Sequence, residues 1–448
     1  MTQPQFPPGP KTNLLWSKED NFTKDILGYF ARSVRKYNGI SRAMVGPYAY
    51  VNISEPEYIE RVFTHPDIYI KGRDNKTLRF LLGNGLVTSE GEFWLKQRRL
   101  IQPLFHKQRL QTFVKKISDC TDVLIKNWEK RGGEVIDVHD EMTHVTLDIV
   151  SQTLMSTEVK GDFKKISDSL LVIMEGMMKI FKVPTWIPTP GNIRMQLNRK
   201  VLDDTIYKII DDRRKETQSY DDLLTMLMEV EDADTRERMT NKQLRDEVIT
   251  IFLAGHETTA NALSFSLYLL AQHPGIKQKI VDEFNRVIGE GELTYENVMR
   301  LEYTTWVIKE SMRLYPPVWG ITRDASREDV IGGYRIKKGD SIAMSPWAVH
   351  RLERIWENPT KFDPERFSPE RFKNVHRYAW FPFGGGQRMC IGNNFAMMEM
   401  QIVLALMCTK FNFSIGDGFE LDLEPLVTLR PRHGMMLKVE QVAAMQEV

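Results

Sequence analysis

The sequence predicts a mainly α-helical protein with small β-sheets (α+β), built as one interlocked domain over residues 1–448. Three observations predict it. A long run from about Glu55 to Leu314 is helical in period, strand-like segments occur only in short pieces before and after it, and no Gly/Ser linker, repeat or low-complexity tract divides the chain. The strand-rich part is expected over about residues 40–55, 320–345 and 410–440, and the helix-rich part over about 55–315 and 393–409. With 42% apolar and 27% charged residues, intrinsic disorder is excluded. Lys+Arg number 61 against 60 Asp+Glu, so bulk charge gives no reason to expect a nucleic-acid partner. The three cysteines, Cys120, Cys390 and Cys408, form no CxxC pair, which excludes a disulfide scaffold and a multi-cysteine zinc site and suits a reducing compartment.

Taken in order, the polar, proline-rich Met1 to Pro10 has no apolar core of a secretory signal, so a cytoplasmic protein is expected. Arg42 to Val45 and Tyr48 to Ile53 read as strands joined by a Gly46-Pro47 turn. The helical run is then broken at Pro66, Gly83, Gly132-Gly133, the Pro184 to Pro190 cluster and Pro274. Its clearest element is a helix from about Asn241 to Gln272, with Thr240 or Asn241 as cap, Asp246 and Glu247 near its start, and His273-Pro274 as its stop. Apolar residues on nearly every side predict burial all round. The longest uncharged stretch begins at Thr258 and ends at Lys277. It directly follows Glu257 and contains Gln272, His273 and Pro274, so it reads as a buried helix and not as a lipid span of ~20 residues. Strands return at Tyr334 to Ile336, Ser341 to Ser345, Phe411 to Ile415 and Met435 to Val439, and Asn393 to Thr409 is helix-periodic.

Two segments carry chemistry. In Phe383-Gly384-Gly385-Gly386-Gln387-Arg388-Met389-Cys390-Ile391-Gly392, three consecutive glycines let the backbone pass close to something flat or bulky. Cys390 stands beside Arg388 and just before a helix start, and both settings favour thiolate, the form that ligates a metal. A buried structural cysteine at a glycine turn is the plainer alternative, and a nucleophilic role would need a base brought from elsewhere in the chain. The second segment, Ala254-Gly255-His256-Glu257-Thr258-Thr259, puts polar groups in the middle of a buried helix, where they need partners or a purpose. His256-Glu257 begins like a zinc-protease H-E-x-x-H, but position 260 is alanine, so the second ligand is missing.

The pattern F-x-x-G-x-R-x-C-x-G, present as Phe383, Gly386, Arg388, Cys390 and Gly392, is similar to the haem-binding loop of the cytochrome P-450 monooxygenases. Four further signatures agree with that resemblance, which covers nearly the whole chain. Glu310 and Arg313 fit E-x-x-R, Pro364-Glu365-Arg366-Phe367 fits PERF, Ala254 to Thr259 resembles the oxygen-activation motif, and Trp94 with Arg98 fits W-x-x-x-R. The resemblance implies a triangular prism with a long central helix and haem b between that helix and the cysteine loop. Cys390 would be the axial thiolate, whose electron donation favours O–O cleavage of dioxygen. Trp94, Arg98, Arg323, Phe383 and Arg388 would bind the cofactor, the arginines through forked bonds to its propionates. Glu310, Arg313 and Arg366 would form a buried network that shapes the pocket. Glu257 and Thr258 would relay protons as an acid–alcohol pair beside a helix irregularity, and their presence speaks against a dedicated peroxygenase.

By the same resemblance the substrate pocket would be lined by Leu86, Val87, Leu253, Ala254, Val318, Trp319, Leu426 and Val427. Nearly all are apolar, which implies an apolar small-molecule substrate such as a fatty acid, terpenoid or carotenoid, hydroxylated or epoxidised. The arginine that anchors a carboxylate in some fatty-acid hydroxylases of this family has no counterpart at Gly46-Pro47-Tyr48. Only 58 residues follow Cys390, too few for a flavin or iron–sulfur domain. Electrons would therefore come from a separate ferredoxin or flavodoxin and its reductase, with NAD(P)H acting only indirectly. The local cluster Lys96, Arg98, Arg99, Lys107 and Arg109 is expected to suit an acidic partner. Two other readings of the same fold are a non-catalytic haem-thiolate sensor or carrier, which would not need Glu257 and Thr258, and an electron-independent isomerase or dehydratase.

Overall fold

In the computed structural model, which describes residues 5–13, 16–17, 25–156, 160–177, 187–216, 220–231 and 236–442, the chain divides into two compact units. One comprises Met1–Lys76 and Lys309–Asn393, the other Thr77–Ile308 and Asn394–Val448.

The first unit is organised by one sheet. The expected hairpin is present as Ile40–Val45 and Tyr48–Ile53, paired antiparallel with Val45 opposite Tyr48. Ser341–Met344 joins parallel to Tyr48–Ile53, Ser341 opposite Tyr50, and antiparallel to Ile321–Ala325, which pairs in turn with Tyr69–Lys71. With Thr12–Asn13 and Trp16–Ser17 at the other edge the sheet has seven strands, and its central strands come from opposite ends of the sequence. Helix Ile26–Lys36 starts at Asp25, whose carboxylate accepts from the Gly28 amide, and ends in Arg35 and Lys36, complementing the helix dipole. It buries Tyr29, Phe30 and Val34 in a core with Val51, Ile59, Ile342, Met344 and Val349. Tyr334–Ile336 pairs with Asp329–Ile331 as a separate two-stranded ribbon.

The second unit is helical. Its axis is Asn241–Gln272, a helix of 32 residues and therefore about 48 Å long. Thr240 caps it in a capping box with Gln243, and Pro274 opens the next helix, Pro274–Val287. It packs against Val138–Met155, Pro190–Lys215 and the strand Phe411–Ile415. Twenty-one of its residues are buried, in agreement with the apolar pattern on all sides. The expected strand Phe411 to Ile415 is present and pairs with Met436–Gln441, which also pairs with Val135–Asp137. Leu423–Pro425 and Leu429–Pro431 form a small hairpin. Of the expected break at Pro184 to Pro190, residues 184–186 lie outside the described residues, and Pro190 opens helix Pro190–Lys215. No helix among the described residues is long and apolar enough to cross a membrane.

Candidate functional site

Of the three cysteines, Cys408 is fully buried, its thiol pushed up to about 12 by burial, and Cys120 is half-buried. Cys390 alone presents its side chain to the outside. The loop that carries it has a defined shape: the Cys390 amide donates to the Phe383 carbonyl (2.9 Å), closing the loop across Gly386. Gly386 has a φ of 62°, and a Cβ there would stand 2.0 Å from the Phe63 carbonyl oxygen, so glycine is required on both counts. Phe383 packs edge-on against Trp380, whose indole N–H donates to the Lys309 carbonyl at 3.2 Å. Helix Asn393–Lys410 starts three residues after the thiol. A shaped loop with close backbone packing behind it and an outward thiol fits a flat, metal-centred cofactor; no group of three or more His, Cys, Asp or Glu that could hold a metal ion by itself occurs among the described residues.

The same unit assembles Glu310, Arg313 and Arg366. Glu310 and Arg313 lie one helical turn apart in Glu302–Leu314, and neither is exposed to solvent. Arg313 grips the carboxylate with Nε (2.6 Å) and Nη2 (2.8 Å) and spends its remaining donors on the carbonyls of His350 and Pro359 (both 2.7 Å) and Lys361 (3.2 Å). Glu310 also accepts from the Asp363 amide (2.9 Å) and from Arg366 Nε (3.3 Å). The four letters PERF occur again at Pro369–Phe372, but there Arg371 is half-exposed and binds Asp363; the buried member of the network is Arg366. Arg323, buried on strand Ile321–Ala325, donates to the Thr322 carbonyl (2.8 Å) and lies over the Phe63 ring. Val318 and Trp319 precede that strand half-buried, and Trp319 packs against Phe30.

In the second unit, the long helix carries the acid and alcohol. The Thr428 hydroxyl donates to Glu257 Oε1 at 2.6 Å, the Asn261 amide donates to Thr428 at 3.2 Å, and His139 Nε2 meets the Asn261 carbonyl at 3.0 Å. Burial pushes the Glu257 carboxyl above its usual range, against the Thr428 hydrogen bond and the Arg430 charge. Thr258 bonds the Ala254 carbonyl one turn back (2.6 Å). The helix runs unbroken from 241 to 272, so the expected irregularity beside this pair is absent. The hydroxyl, not a broken turn, takes up the spare capacity of the Ala254 carbonyl. Leu253 is buried and Ala254 exposed on the same stretch, while Leu426 and Val427 lead directly into Thr428. Trp94 is buried, and Arg98 half-buried, on Gly91–Ile101.

Leu86 is buried and Val87 half-buried in a loop bound to the long helix by two carboxylates. Asp246 Oδ2 accepts from the Asn84 amide at 2.9 Å, and Glu247 Oε2 from the Leu86 amide at 3.0 Å. From the sequence these acids read as features of a helix start; neither lies in the first turn, and both bind chain about 160 residues away. Sequence reasoning also missed Thr428, Asn261 and His139. The one signal present was carboxylates, Asp246, Glu247 and Glu257, on a helix whose pattern predicts burial on nearly every side.

The cytochrome P450 family model matches residues 5–439. The chain belongs to the cytochrome P450 family. It is 32% identical over 397 residues to cyclooctat-9-en-7-ol 5-monooxygenase of Streptomyces melanosporofaciens, covering 88% of this chain and 86% of that one. It is 29% identical over 420 residues to pentalenene oxygenase of Streptomyces avermitilis, covering 93% and 92%. The crystal structure of the cytochrome P450DA heme domain superposes with a TM-score of 0.90 at 26% identity, covering 98% of this chain and 99% of that one. This P450 is accordingly a monooxygenase, and its family implies haem with a cysteine thiolate and dioxygen as co-substrate.

The basic cluster of this P450 is largely neutralised. Lys96 pairs with Glu237 (3.0 Å), Lys107 with Glu296 (3.3 Å) and Arg109 with Asp221 (2.9 Å). Three of its five cations thus present no net charge to an acidic partner.

Proposed function

We propose that the chain acts as one haem-thiolate domain that inserts an oxygen atom into an apolar, terpenoid-like molecule, with electrons from a separate ferredoxin or flavodoxin and its reductase. The observation that carries this reading is Cys390: the one outward thiol, on a loop whose backbone is closed by its own amide and whose Gly386 admits no side chain. Cys390 would hold the haem iron, and Trp94, Arg98, Arg323, Phe383 and Arg388 would bind the rest of the cofactor. Haem with a thiolate ligand activates dioxygen for transfer of one atom to a C–H or C=C bond.

The chain's own residues do the rest. Glu257, its carboxyl kept protonated to higher pH by burial, holds a proton at a site fixed by the Thr428 hydroxyl. Thr258 holds a hydroxyl one residue on, oriented by the Ala254 carbonyl. The Glu310–Arg313–Arg366 network fixes the backbone around His350, Asn358, Pro359 and Lys361 without touching substrate. Leu86, Val87, Leu253, Val318, Trp319, Leu426 and Val427 keep water from the substrate and orient it by shape. Two relatives named for oxygenating cyclooctat-9-en-7-ol and pentalenene support a cyclic, water-insoluble substrate over a fatty acid. Glu257 and Thr258 also favour oxygenation over a sensor role.

The test is the optical spectrum of the dithionite-reduced protein under carbon monoxide. A strongly red-shifted Soret band, lost in Cys390→Ala, is expected. A band at the position of histidine-ligated haem in the wild type would refute the assignment. Product formation coupled to NADPH through a surrogate redox pair then separates oxygenation from electron-independent isomerisation.

A further inference from the structure

The long helix holds two segments expected at the substrate pocket, and it holds each through a carboxylate. Glu257 binds Thr428, next to Val427; Glu247, ten residues earlier, binds the Leu86 amide. The segment Gly83–Ser89 lies tightly on the helix at this second point. A Cβ on Gly85 would be 2.2 Å from Thr250 Oγ1 and 2.6 Å from the Asp246 carbonyl oxygen, so the loop backbone touches the helix with nothing between. The segment is also braced within itself. Thr88 Oγ1 donates to the Gly83 carbonyl (2.8 Å), Arg79 donates twice to the Thr88 carbonyl (2.9 and 3.2 Å), and Gln97 donates to the Asn84 carbonyl (3.1 Å).

The two acids of this clamp differ. Asp246 has cations of its own, Lys242 at 2.9 Å and Arg245 at 3.0 Å, besides the Asn84 amide. Glu247 has no cation beside it among the described residues. It is fully buried, its Oε2 takes the Leu86 amide, and its Oε1 has no hydrogen-bond partner among the described residues. The charged group that bears on it is Asp246, on its own helix. Gly83 to Ser89 contains no titratable side chain, and Asp203 of the packed helix Pro190–Lys215 is engaged by Arg245 and Arg199.

We propose that Glu247 is a positioning residue for substrate: its neutral carboxyl pins Leu86 and Val87, and with them one wall of the apolar pocket, to the long helix, and its ionisation releases that wall. This rests on the reading above that Leu86 and Val87 face the substrate. Burial pushes the Glu247 carboxyl up to about 8, against the hydrogen bond from the Leu86 amide, and the neighbouring Asp246 adds to the rise. It is therefore protonated at neutral pH, one oxygen accepting from Leu86 and the other carrying the proton. Above that value the folded protein must bury an unpaired carboxylate or let the loop part and admit water, and parting is the less costly. The sign follows from linkage: a carboxyl raised in the folded form favours the clamped state at low pH and loses that preference as pH rises through about 8.

The experiment uses purified haem-loaded protein and two iron-coordinating probes, imidazole and the bulky, apolar clotrimazole, titrated by the Soret shift. Hydrogen exchange of the peptide spanning residues 83–89, corrected for intrinsic rate, is followed alongside. If only the protonated form is competent, clotrimazole affinity falls roughly 10- to 30-fold between about pH 7 and about pH 9.5, while imidazole, too small to need the wall, changes less than about twofold. Glu247→Gln, which keeps a neutral acceptor, is expected to abolish both the pH dependence and the rise in exchange. Glu247→Leu should exchange fast and bind clotrimazole weakly at both pH values. A clotrimazole profile identical in wild type and Glu247→Gln overturns the proposal, as does faster loop exchange with unchanged affinity. Absence of the thiolate-type carbon monoxide band in the wild type overturns the reading beneath it as well, so the two failures are told apart.

Discussion

Arg313→Met tests what the buried network contributes. Arg313 is wholly inaccessible to water, and its donors are spent on the two oxygens of Glu310 and on three main-chain carbonyls, those of His350, Pro359 and Lys361. Removing one member of a buried ion pair costs about 3–5 kcal/mol, because the other charge is left uncompensated. Arg366 still reaches Glu310, but at 3.3 Å and through one nitrogen, so most of that cost remains. Each orphaned buried carbonyl adds about 1–3 kcal/mol. The total, about 6–14 kcal/mol, is comparable with the whole of a typical stability of about 5–15 kcal/mol, so Arg313→Met should be largely unfolded at ordinary temperature. Glu310→Gln leaves Arg313 on its carbonyls and should lose only about 3 kcal/mol. The decisive variant is Glu310→Leu with Arg313→Met. If ionic attraction were the whole matter, removing both charges would restore stability. The structure predicts no rescue, because the three carbonyls and the Asp363 amide are still left without partners. Urea unfolding followed by circular dichroism, with retained haem as a second readout, decides it. A double variant within about 1 kcal/mol of wild type would refute the argument, since an orphaned carbonyl alone should cost more than that.

Glu257→Gln keeps an acceptor for Thr428 but removes the titratable proton, and should lower turnover by about 10²- to 10⁴-fold while NADPH oxidation continues, measured as product per NADPH. In the wild type, product formation should fall on the alkaline side as Glu257 loses its proton, at a pH above the ordinary carboxylate range, and that limb should vanish in the variant. His256 is buried and pushed down to about 4 from 6.5, so the unfolded chain binds its proton first as pH falls. That costs about 3 kcal/mol between pH 6.5 and pH 4, and the urea midpoint of His256→Phe should fall less over that window than that of wild type. Removing each pair whole, as Lys96→Gln with Glu237→Gln and Lys107→Gln with Glu296→Gln, leaves the charge of this face unchanged and should change the rate of reduction by a ferredoxin less than about twofold. A strong, salt-dependent slowing would restore that face as the docking site.

What the sequence made legible, and what it hid, divides by the range of the forces concerned. The long helix was legible because its limits are local, with only the cap left open between Thr240 and Asn241: Thr240 and Gln243 cap each other's backbone, and Pro274 has no amide to continue the ladder. The hairpin was legible for the same reason, with its turn between two alternating runs; its first strand begins at Ile40, two residues before the expected Arg42. Ile321–Ala325, expected only as part of a strand-rich stretch over about 320–345 and not as a strand by itself, carries Thr, Arg and Asp in five residues; Ser341–Met344 and Tyr69–Lys71 flank it and make it a strand. The chemistry divides likewise. Cys390, Glu310 and Arg366 stand in motifs whose spacing is visible along the chain. Glu247 and Thr428 are defined only by what meets them, an amide 161 residues earlier and a carboxylate 171 residues earlier. A buried carboxyl without a cation is costly wherever it stands, and a helix buried on all sides offers no route to water. An acid at position 247 therefore had to find its donor in another segment, and that segment is the one holding Leu86. The polar residue that looks least at home in an apolar helix is the place to ask which distant backbone it holds.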